Sequence, residues 1–495
     1  MFRTVVHFLH AKKWQNWGGN ITVNPFRRKD TSQLDNLALA AALKAATQQP
    51  GTLKIVGSGH SFSNILETKG LLLYRSKRSI GAMDSIVQEV DKTVLKSATN
   101  DELLIQITGQ ATLGEINKAL KEKGLAFKNL GSAILQTYAG AISTSTHGTG
   151  RNIPPLCDDV RSMLMLSPEW GMCRIEPQAG ITERMKFEKA YPGIELIQDD
   201  KVFYATLVSL GCMGIILEYI TCVRPRYKLA ETRSFITWSK LKKELRETPG
   251  KHLSCRHFDI IINPYRVNGE YSCVITNREI VSNETHNTKA FGKFFQWLVV
   301  VLQFLIGRFL RYFPFVIPRF IHLSIKSLVR SKPYIDESNE IFDIDLINKL
   351  RAVSAEYVFP LKDNNYLDAI EALIETVSLN SKKKLHQNSP FGIRFVASSK
   401  AYLSMMHGEA MCSVEIPLLA NTKHWEAVLG SYESICMEYG GRPHWGQYHT
   451  LTSIPGWATK SYSKYADWLE VLYQSDPKGA FRNRFTKRMG FKYPK

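Results

Sequence analysis

Four short tracts carry the residue types able to do chemistry. The first is Gly57-Ser58-Gly59-His60-Ser61-Phe62, on the end of the apolar run Leu53-Lys54-Ile55-Val56. Glycine tolerates φ > 0 and lets backbone approach a bulky anion. N–H groups exposed in such a turn form a nest for phosphate oxygens. Read alone, the stretch is either that nest or a tight turn with His60 as a polar turn residue. The second tract runs through Leu130-Gly131-Ser132 and on from Ala139-Gly140 through Ser143-Thr144-Ser145-Thr146-His147 to Gly150. Small residues and hydroxyls this dense pack poorly as a core and suit a surface wrapped round a polyphosphate. The plain alternative is a serine/threonine-rich loop. The third is Ser209-Leu210-Gly211-Cys212-Met213-Gly214-Ile215-Ile216-Leu217. Three glycine-rich approaches suit a long dinucleotide better than a mononucleotide. None is a G-x-G-x-x-G opening a βαβ unit, which disfavours a nicotinamide Rossmann site.

The fourth tract lies far downstream: Gly440-Gly441-Arg442-Pro443-His444-Trp445-Gly446-Gln447-Tyr448-His449. Histidines this close raise the question of a metal. No carboxylate or cysteine stands at ligand spacing beside them, so no metal is expected.

Local elements must hold these tracts in place. Asp30 to Gln49 carries apolar residues at helical spacing, with Thr31-Ser32 as a cap and Pro50-Gly51 as a stop. Leu53–Val56, Leu71–Tyr74, Leu103–Ile107 and Tyr219–Val223 read as strands. Thr112 and Glu115 form a capping box for a helix ending at Gly124. Further on, Asn365 to Ser378 is an amphipathic helix, and Phe391–Val396 and Cys412–Pro417 are apolar strands.

A chain of 495 residues is too long for one core, so two or three domains are expected. The net charge of +19 calls for an acidic partner: nucleic acid, an anionic membrane or an anionic cofactor. No RNA-binding signature, zinc-finger spacing or Lys/Arg-rich stretch of five to eight residues is present, so nucleic acid is not expected. The eight cysteines are scattered without C-x-x-C, which fits a reducing compartment better than a disulfide framework. Residues 1–13 lack a clear apolar core and cleavage site, so no secretory signal is read there.

The order of these tracts resembles the flavin-binding domain of the vanillyl-alcohol-oxidase (PCMH-type) superfamily. The nearest likeness is to the sugar-1,4-lactone oxidases and the related alditol oxidases, from Trp14 to the C-terminus. The resemblance implies FAD bonded covalently through His60, with Val56, Gly57, Ser58, Gly59 and Ser61 around the pyrophosphate. It assigns Ser132, Thr137, Gly140, Thr144, Ser145, Thr146 and His147 to the second FAD tract, and Ile216 to the third. His444-Trp445-Gly446-Gln447-Tyr448-His449 looks like the family's HWGKxH segment, which meets the flavin from the substrate side. Asp476-Pro477-Lys478-Gly479-Ala480-Phe481 matches its closing pattern.

Two departures sit at the reacting centre. In the family a Glu-x-Arg pair on one strand and the lysine of HWGK serve the chemistry; residues two apart on a strand share a face. Here the arginine is present as Arg394, the glutamate position is Gly392, and the lysine position is Gln447. Arg394 can still stabilise negative charge. Glu415, in an apolar strand, is the candidate replacement carboxylate; the alternative is a structural ion pair with Arg394. Tyr448 and His449 are the other candidates to take the proton.

The expected architecture is α+β. Residues 1–17 form an N-terminal segment, and 18–225 a two-subdomain FAD-binding domain. Residues 226–440 form a mixed-sheet substrate (cap) domain, and 441–495 return to the flavin. Within the cap, residues 291–330 are apolar and aromatic, with Lys293, Arg308, Arg311, Arg319, Lys326 and Arg330 and no acid. This suits either a helix pair lying in a membrane interface or a buried helix with a basic face. The expected protein is an FAD-dependent oxidoreductase of the aldonolactone-oxidase type acting on a small alcohol or lactone, free in the cytoplasm or peripheral on a membrane. The alternatives are an oxidase of a lipophilic alcohol or lipid-linked sugar, and a flavin-binding protein whose catalysis has decayed.

Overall fold

The computed structural model describes residues 13–31, 35–49, 51–75, 85–97, 102–282, 293–343, 350–419 and 421–491. The expectations placed on residues 1–12, Ser32 and Pro50 lie outside them. The first helix spans Asn36–Thr47 and starts later than its apolar spacing suggests. Asp35 caps it by accepting the Ala38 N–H at 2.7 Å. Thr31 is not its cap: its hydroxyl pairs instead with Gln110 at 2.9 Å.

Three parallel strands come next in space: Arg27–Asp30, Leu71–Tyr74 and Leu53–Val56, with Leu71–Tyr74 in the middle. Leu53, Leu72 and Leu73 are fully buried, which is what a parallel sheet covered on both faces requires. A six-stranded sheet follows in the order Glu195–Gln198, Gly171–Glu176, Val160–Ser167, Ile215–Cys222, Leu104–Thr108, Val87–Glu89. The helix Leu113–Glu122 opens with the expected capping box, Thr112 and Glu115 each satisfying the other's backbone. It is followed by Gly124 at φ 70°, a conformation glycine takes without strain.

Residues beyond 227 build an eight-stranded antiparallel sheet. Its order is Tyr334–Glu337, Lys228–Thr237, Glu270–Val281, His257–Val267, Phe391–Val396, Met411–Leu419, Ala352–Pro360, Arg442–Pro443. The helix Asn365–Lys382 buries Leu367, Ile370, Leu373, Ile374 and Val377 in the main core. A second helix pair, Lys293–Tyr312 and Ile317–Lys326, packs on the sheet through a separate small cluster around Ile317, Ile321 and Ile325. No helix among the described residues is long and apolar enough to cross a membrane.

The chain's end returns to its beginning. The Trp468 indole N–H donates to the Val208 carbonyl at 3.0 Å, and the Gly51 N–H donates to the Gly479 carbonyl at 2.9 Å. Asp476 is fully buried and accepts the N–H groups of Ala480 and Phe481. Buried carboxylates need such donors.

Candidate functional site

The strand Leu53–Val56 delivers its turn into a cleft of about 1180 Å³ of empty space. Glycine is obligatory at two positions there. A Cβ on Gly57 would stand 2.0 Å from the Thr137 hydroxyl, and Gly59 has φ 71° with the Trp14 ring 2.7 Å from where a Cβ would go. The turn between two short paired N-terminal strands, Trp14–Gln15 and Thr22–Val23, clamps this glycine turn from outside. The Trp17 N–H donates to the Gly59 carbonyl at 2.8 Å, and its indole stacks on the His60 ring at 5.1 Å and 20°. The far segment closes it from the other side. The Phe62 N–H donates to the Gly446 carbonyl at 2.6 Å, and the Ser63 hydroxyl donates to the Trp445 carbonyl at 2.8 Å.

Val56, Gly57, Ser58, Gly59, His60, Ser61, Thr137, Gly140, Thr144, Ile216, His444 and Gln447 all line this one cleft. Ser132, Ser145, Thr146, His147, Arg394, Glu415 and His449 are not in its lining. The Ser145 hydroxyl turns away to Ser404 at 2.7 Å. His147 stands behind the wall, its Nε2 3.0 Å from Glu356.

Sequence reasoning missed Lys54, Arg75 and Gln136, which also line the cleft. Lys54 was legible in principle: it is a cation at a period-two position inside an apolar strand, on the same side as Val56. Its Nζ is 3.4 Å from the Gly211 carbonyl, and the side chain is buried. Ser58 Oγ, Gln136 Oε1 and Gln447 Oε1 are buried at the cleft with no hydrogen-bond partner among the described residues. Buried polar atoms are ordinarily paired. A polar ligand that brings donors and acceptors along the whole cleft, as a flavin dinucleotide does, fits these residues.

A second polar constellation lies on one face of the eight-stranded sheet. Gly392 is the direct partner of Glu415 and Glu415 of Glu356, while Arg394 faces Asp259 on one side and Ser413 on the other. Residues paired in this way project to one face. Arg394 Nη1 donates to Glu415 Oε2 at 2.8 Å, and both side chains remain partly exposed. A Cβ on Gly392 would meet Glu415 at 3.9 Å, an ordinary contact, so the missing glutamate side chain leaves room that Glu415 borders.

Glu356 is the buried member of this face. It accepts from the Ser413 hydroxyl and from His147 Nε2. Burial alone would raise its carboxyl. The charge and hydrogen bond of His147, with the Arg394 cation, outweigh that and hold it well below the usual range. Burial works against the Arg394 cation, but Glu415 and Glu356 raise its pKa above the ordinary value.

His444 joins the two constellations. Its backbone N–H donates to the Glu356 carbonyl at 2.9 Å, and its ring reaches the cleft. Burial, His147 and Arg394 lower its pKa to about 4. The Gly446 N–H donates to Nδ1 at 3.0 Å, so the neutral ring carries its proton on Nε2. His444 is therefore a neutral hydrogen-bond donor.

The structure takes His449 out of contact with the cleft. Its ring packs near Trp445 and Phe485, with centroids at 6.0 and 6.4 Å. Burial first, then Arg488 and His444, lower its pKa from 6.5 to about 3. Such a group holds its proton more tightly in the unfolded chain. The stability it lends is whole above the unfolded value and is lost as pH falls through the folded one. His449→Phe should flatten the acid-side loss of stability by roughly 2–3 kcal/mol at about pH 4.5. Urea midpoints measured between neutral and acid pH check this; an unaltered pH slope would show that His449 does not titrate with unfolding.

Among the described residues no group of three or more His, Cys, Asp or Glu side chains could hold a metal ion.

Comparison with known proteins agrees with this geometry. The FAD binding domain model matches residues 35–172, and the D-arabinono-1,4-lactone oxidase model matches residues 221–489. L-gulono-1,4-lactone dehydrogenase of Mycobacterium tuberculosis is 23% identical over 480 residues, covering 96% of this chain and 98% of that protein. L-gulonolactone oxidase of Mus musculus is 24% identical over 502 residues, covering 98% and 100%. D-arabinono-1,4-lactone oxidase of Saccharomyces cerevisiae is 28% identical over 231 residues, covering 47% and 38%. Among solved structures, a solvent-stable cholesterol oxidase superposes with TM-score 0.71 at 13% identity, covering 97% of each chain. Cholesterol oxidase from B. sterolicum gives 0.70 at 13%, covering 98% and 97%. At that identity these two share the fold alone, and the α+β architecture is as expected from the sequence. With more than half its length matched by one family model and an FAD-binding domain ahead of it, the chain belongs to the D-arabinono-1,4-lactone oxidase family of FAD-dependent oxidoreductases.

Proposed function

We propose that this protein oxidises the carbinol carbon of an aldonolactone, with Glu415 standing in for the glutamate that Gly392 lacks. The observation that carries this is the Arg394–Glu415 pair at 2.8 Å, directly across the strand pair from Gly392. The FAD supplies the hydride acceptor when bound. The chain's own residues do the rest. The backbone of Val56 to Ser61 holds the phosphates, and Lys54 balances their charge; Arg75 is already paired with Glu115 at 2.7 Å. His60 is the covalent anchor, held in position by Trp17. Residues 18–225 form the cofactor domain, 226–440 the substrate side, and 441–495 the closing segment.

Glu415 takes the substrate hydroxyl proton onto its carboxylate, and Arg394 stabilises the alkoxide that develops. His444 donates from Nε2 without carrying charge of its own. The orphaned Gln447 Oε1 accepts from a ligand N–H or O–H, where the family's lysine would place a cation. The buried Glu356–His147 pair orients both the His444 segment and the Arg394 cation.

A second substrate class, a lipophilic alcohol or lipid-linked sugar, is favoured by one observation: Ile261, the Cα partner of Gly392, packs against the helix pair 293–326. Peripheral contact with a membrane through residues 291–330 belongs to this reading of the protein's partners. Anaerobic mixing of the holoprotein with aldonolactones, alditols and long-chain alcohols tests both. Bleaching of the flavin band by a 1,4-lactone supports the first class. Bleaching by long-chain alcohols alone selects the second, and no bleaching by any of them contradicts both in favour of a catalytically decayed flavoprotein.

A further inference from the structure

The helix pair Lys293–Tyr312 and Ile317–Lys326 has one face that the protein uses and one that it does not. Leu310, Ile317, Ile321 and Ile325 are buried against Val274, with Ile261 and Leu419 packed beside them. On the opposite side Leu305, Phe309 and Tyr312 recur at helical spacing and are 63%, 52% and 64% exposed. Phe315, in the turn between the helices, is 77% exposed, and Leu323 on the second helix is 64%. An exposed, contiguous patch of large apolar residues marks an interaction site.

Its electrostatics choose the partner. Arg308, Arg311, Arg319 and Lys326 are all exposed, and none forms an ion pair with another described residue. The sequence from Thr285 to Ile335 contains no Asp or Glu. Aromatic and aliphatic side chains beside unpaired cations fit the boundary of an anionic bilayer, where the rings sit at headgroup depth and the cations meet lipid phosphates and carboxylates. A protein partner selected by such a face would have to supply both acids and an apolar groove; a bilayer supplies both at once.

The position of this face matters for the reaction. Val274, Ile261, Gly392 and Glu415 are successive Cα partners across four strands, so their side-chain positions share one face of the sheet. The helix pair covers the Val274–Ile261 end of that row, and the next two positions are Gly392 and Glu415. The helices therefore rest on the sheet next to the Gly392 and Glu415 positions, and their exposed face points away from that row.

We propose that the helix pair 293–326 is a docking face for an anionic lipid bilayer, and that it holds the substrate side of the eight-stranded sheet at the lipid surface. This rests on the peripheral membrane contact of the functional reading and gives it a face and a lipid class.

The test uses the FAD-loaded full chain with phosphatidylcholine vesicles, alone or containing phosphatidylserine. The wild type should sediment with the phosphatidylserine vesicles at low salt and remain in solution with phosphatidylcholine alone. Arg308→Glu with Arg311→Glu should lower the partition at least roughly tenfold, since each basic residue near a charged surface contributes measurably. Phe309→Ser with Phe315→Ser should weaken binding that survives high salt. Flavin content and lactone oxidation of both variants report that they are folded, and they test the catalytic reading separately. Undiminished binding by both variants overturns the assignment of this face while leaving a membrane contact elsewhere. Failure of the wild type to bind either vesicle overturns both. A wild-type dimer that the apolar variant converts to a monomer, without lipid, gives the face to a second copy of the chain and overturns the lipid assignment.

Discussion

Glu415→Gln should slow flavin reduction by substrate by about 10²–10⁴-fold, the usual contribution of a positioned general base. Glutamine keeps the size and the hydrogen-bonding reach but cannot accept the hydroxyl proton. The competing role is purely structural, an ion pair with Arg394 at 2.8 Å. The side chains are only 20% and 27% exposed, so removing one partner leaves a largely buried charge and lowers stability. The two roles separate in the kinetics: a base predicts a large loss in the rate of reduction with the flavin still bound, whereas an ion pair alone predicts a lowered unfolding midpoint with reduction of the bound flavin little changed. The geometry offers a second step. A side chain at Gly392 would make ordinary contact with residue 415, so Gly392→Glu in the Glu415→Gln background returns a carboxylate to the same face, two residues from Arg394. Partial recovery of the rate is expected. A Glu415→Gln protein that reduces its flavin at the wild-type rate would remove Glu415 from the chemistry.

His60→Ala should abolish the covalent bond to flavin, so that acid precipitation of the variant leaves the yellow colour in the supernatant. The wild-type pellet should stay yellow. The imidazole is stacked on Trp17, and its turn is pinned between the N-terminal strand pair and the Gly446 carbonyl. The variant keeps those backbone contacts, so it should still bind FAD reversibly. Gly57→Ala should do the opposite and prevent loading altogether, because its Cβ would collide with Thr137. A colourless wild-type pellet would contradict covalent attachment without touching the assignment of FAD itself.

Much of the scaffold was legible because local rules decide it. The strands Leu53–Val56, Leu71–Tyr74 and Phe391–Val396 begin and end where their apolar runs do, and the Thr112–Glu115 capping box closes as written. The first helix starts at Asn36 because the Asp35 carboxylate caps it, while the Thr31 hydroxyl is taken by Gln110. The cofactor cleft was legible through glycines whose Cβ would collide with a neighbour, at Gly57 above all. What was not legible depends on contacts between distant strands. Glu356 sits in a run of apolar residues with no local sign of its partner. Its role follows only from His147, 209 positions earlier, arriving within hydrogen-bond distance. The placing of Glu415 directly opposite Gly392, on which the proposed carboxylate role rests, likewise needs the register of two strands. His449 lies two residues from Gln447, yet the turn sends its ring into an aromatic cluster near Trp445 and Phe485, so proximity in sequence misplaced it.

The most direct measurement is anaerobic stopped-flow absorbance of the holoprotein mixed with 1,4-lactones, run in parallel on wild type and Glu415→Gln. The geometry predicts that at least one aldonolactone bleaches the wild-type flavin, and that the same trace is slowed at least about a hundredfold in the variant. Equal rates in the two proteins, or a wild-type flavin that no lactone reduces, would contradict it.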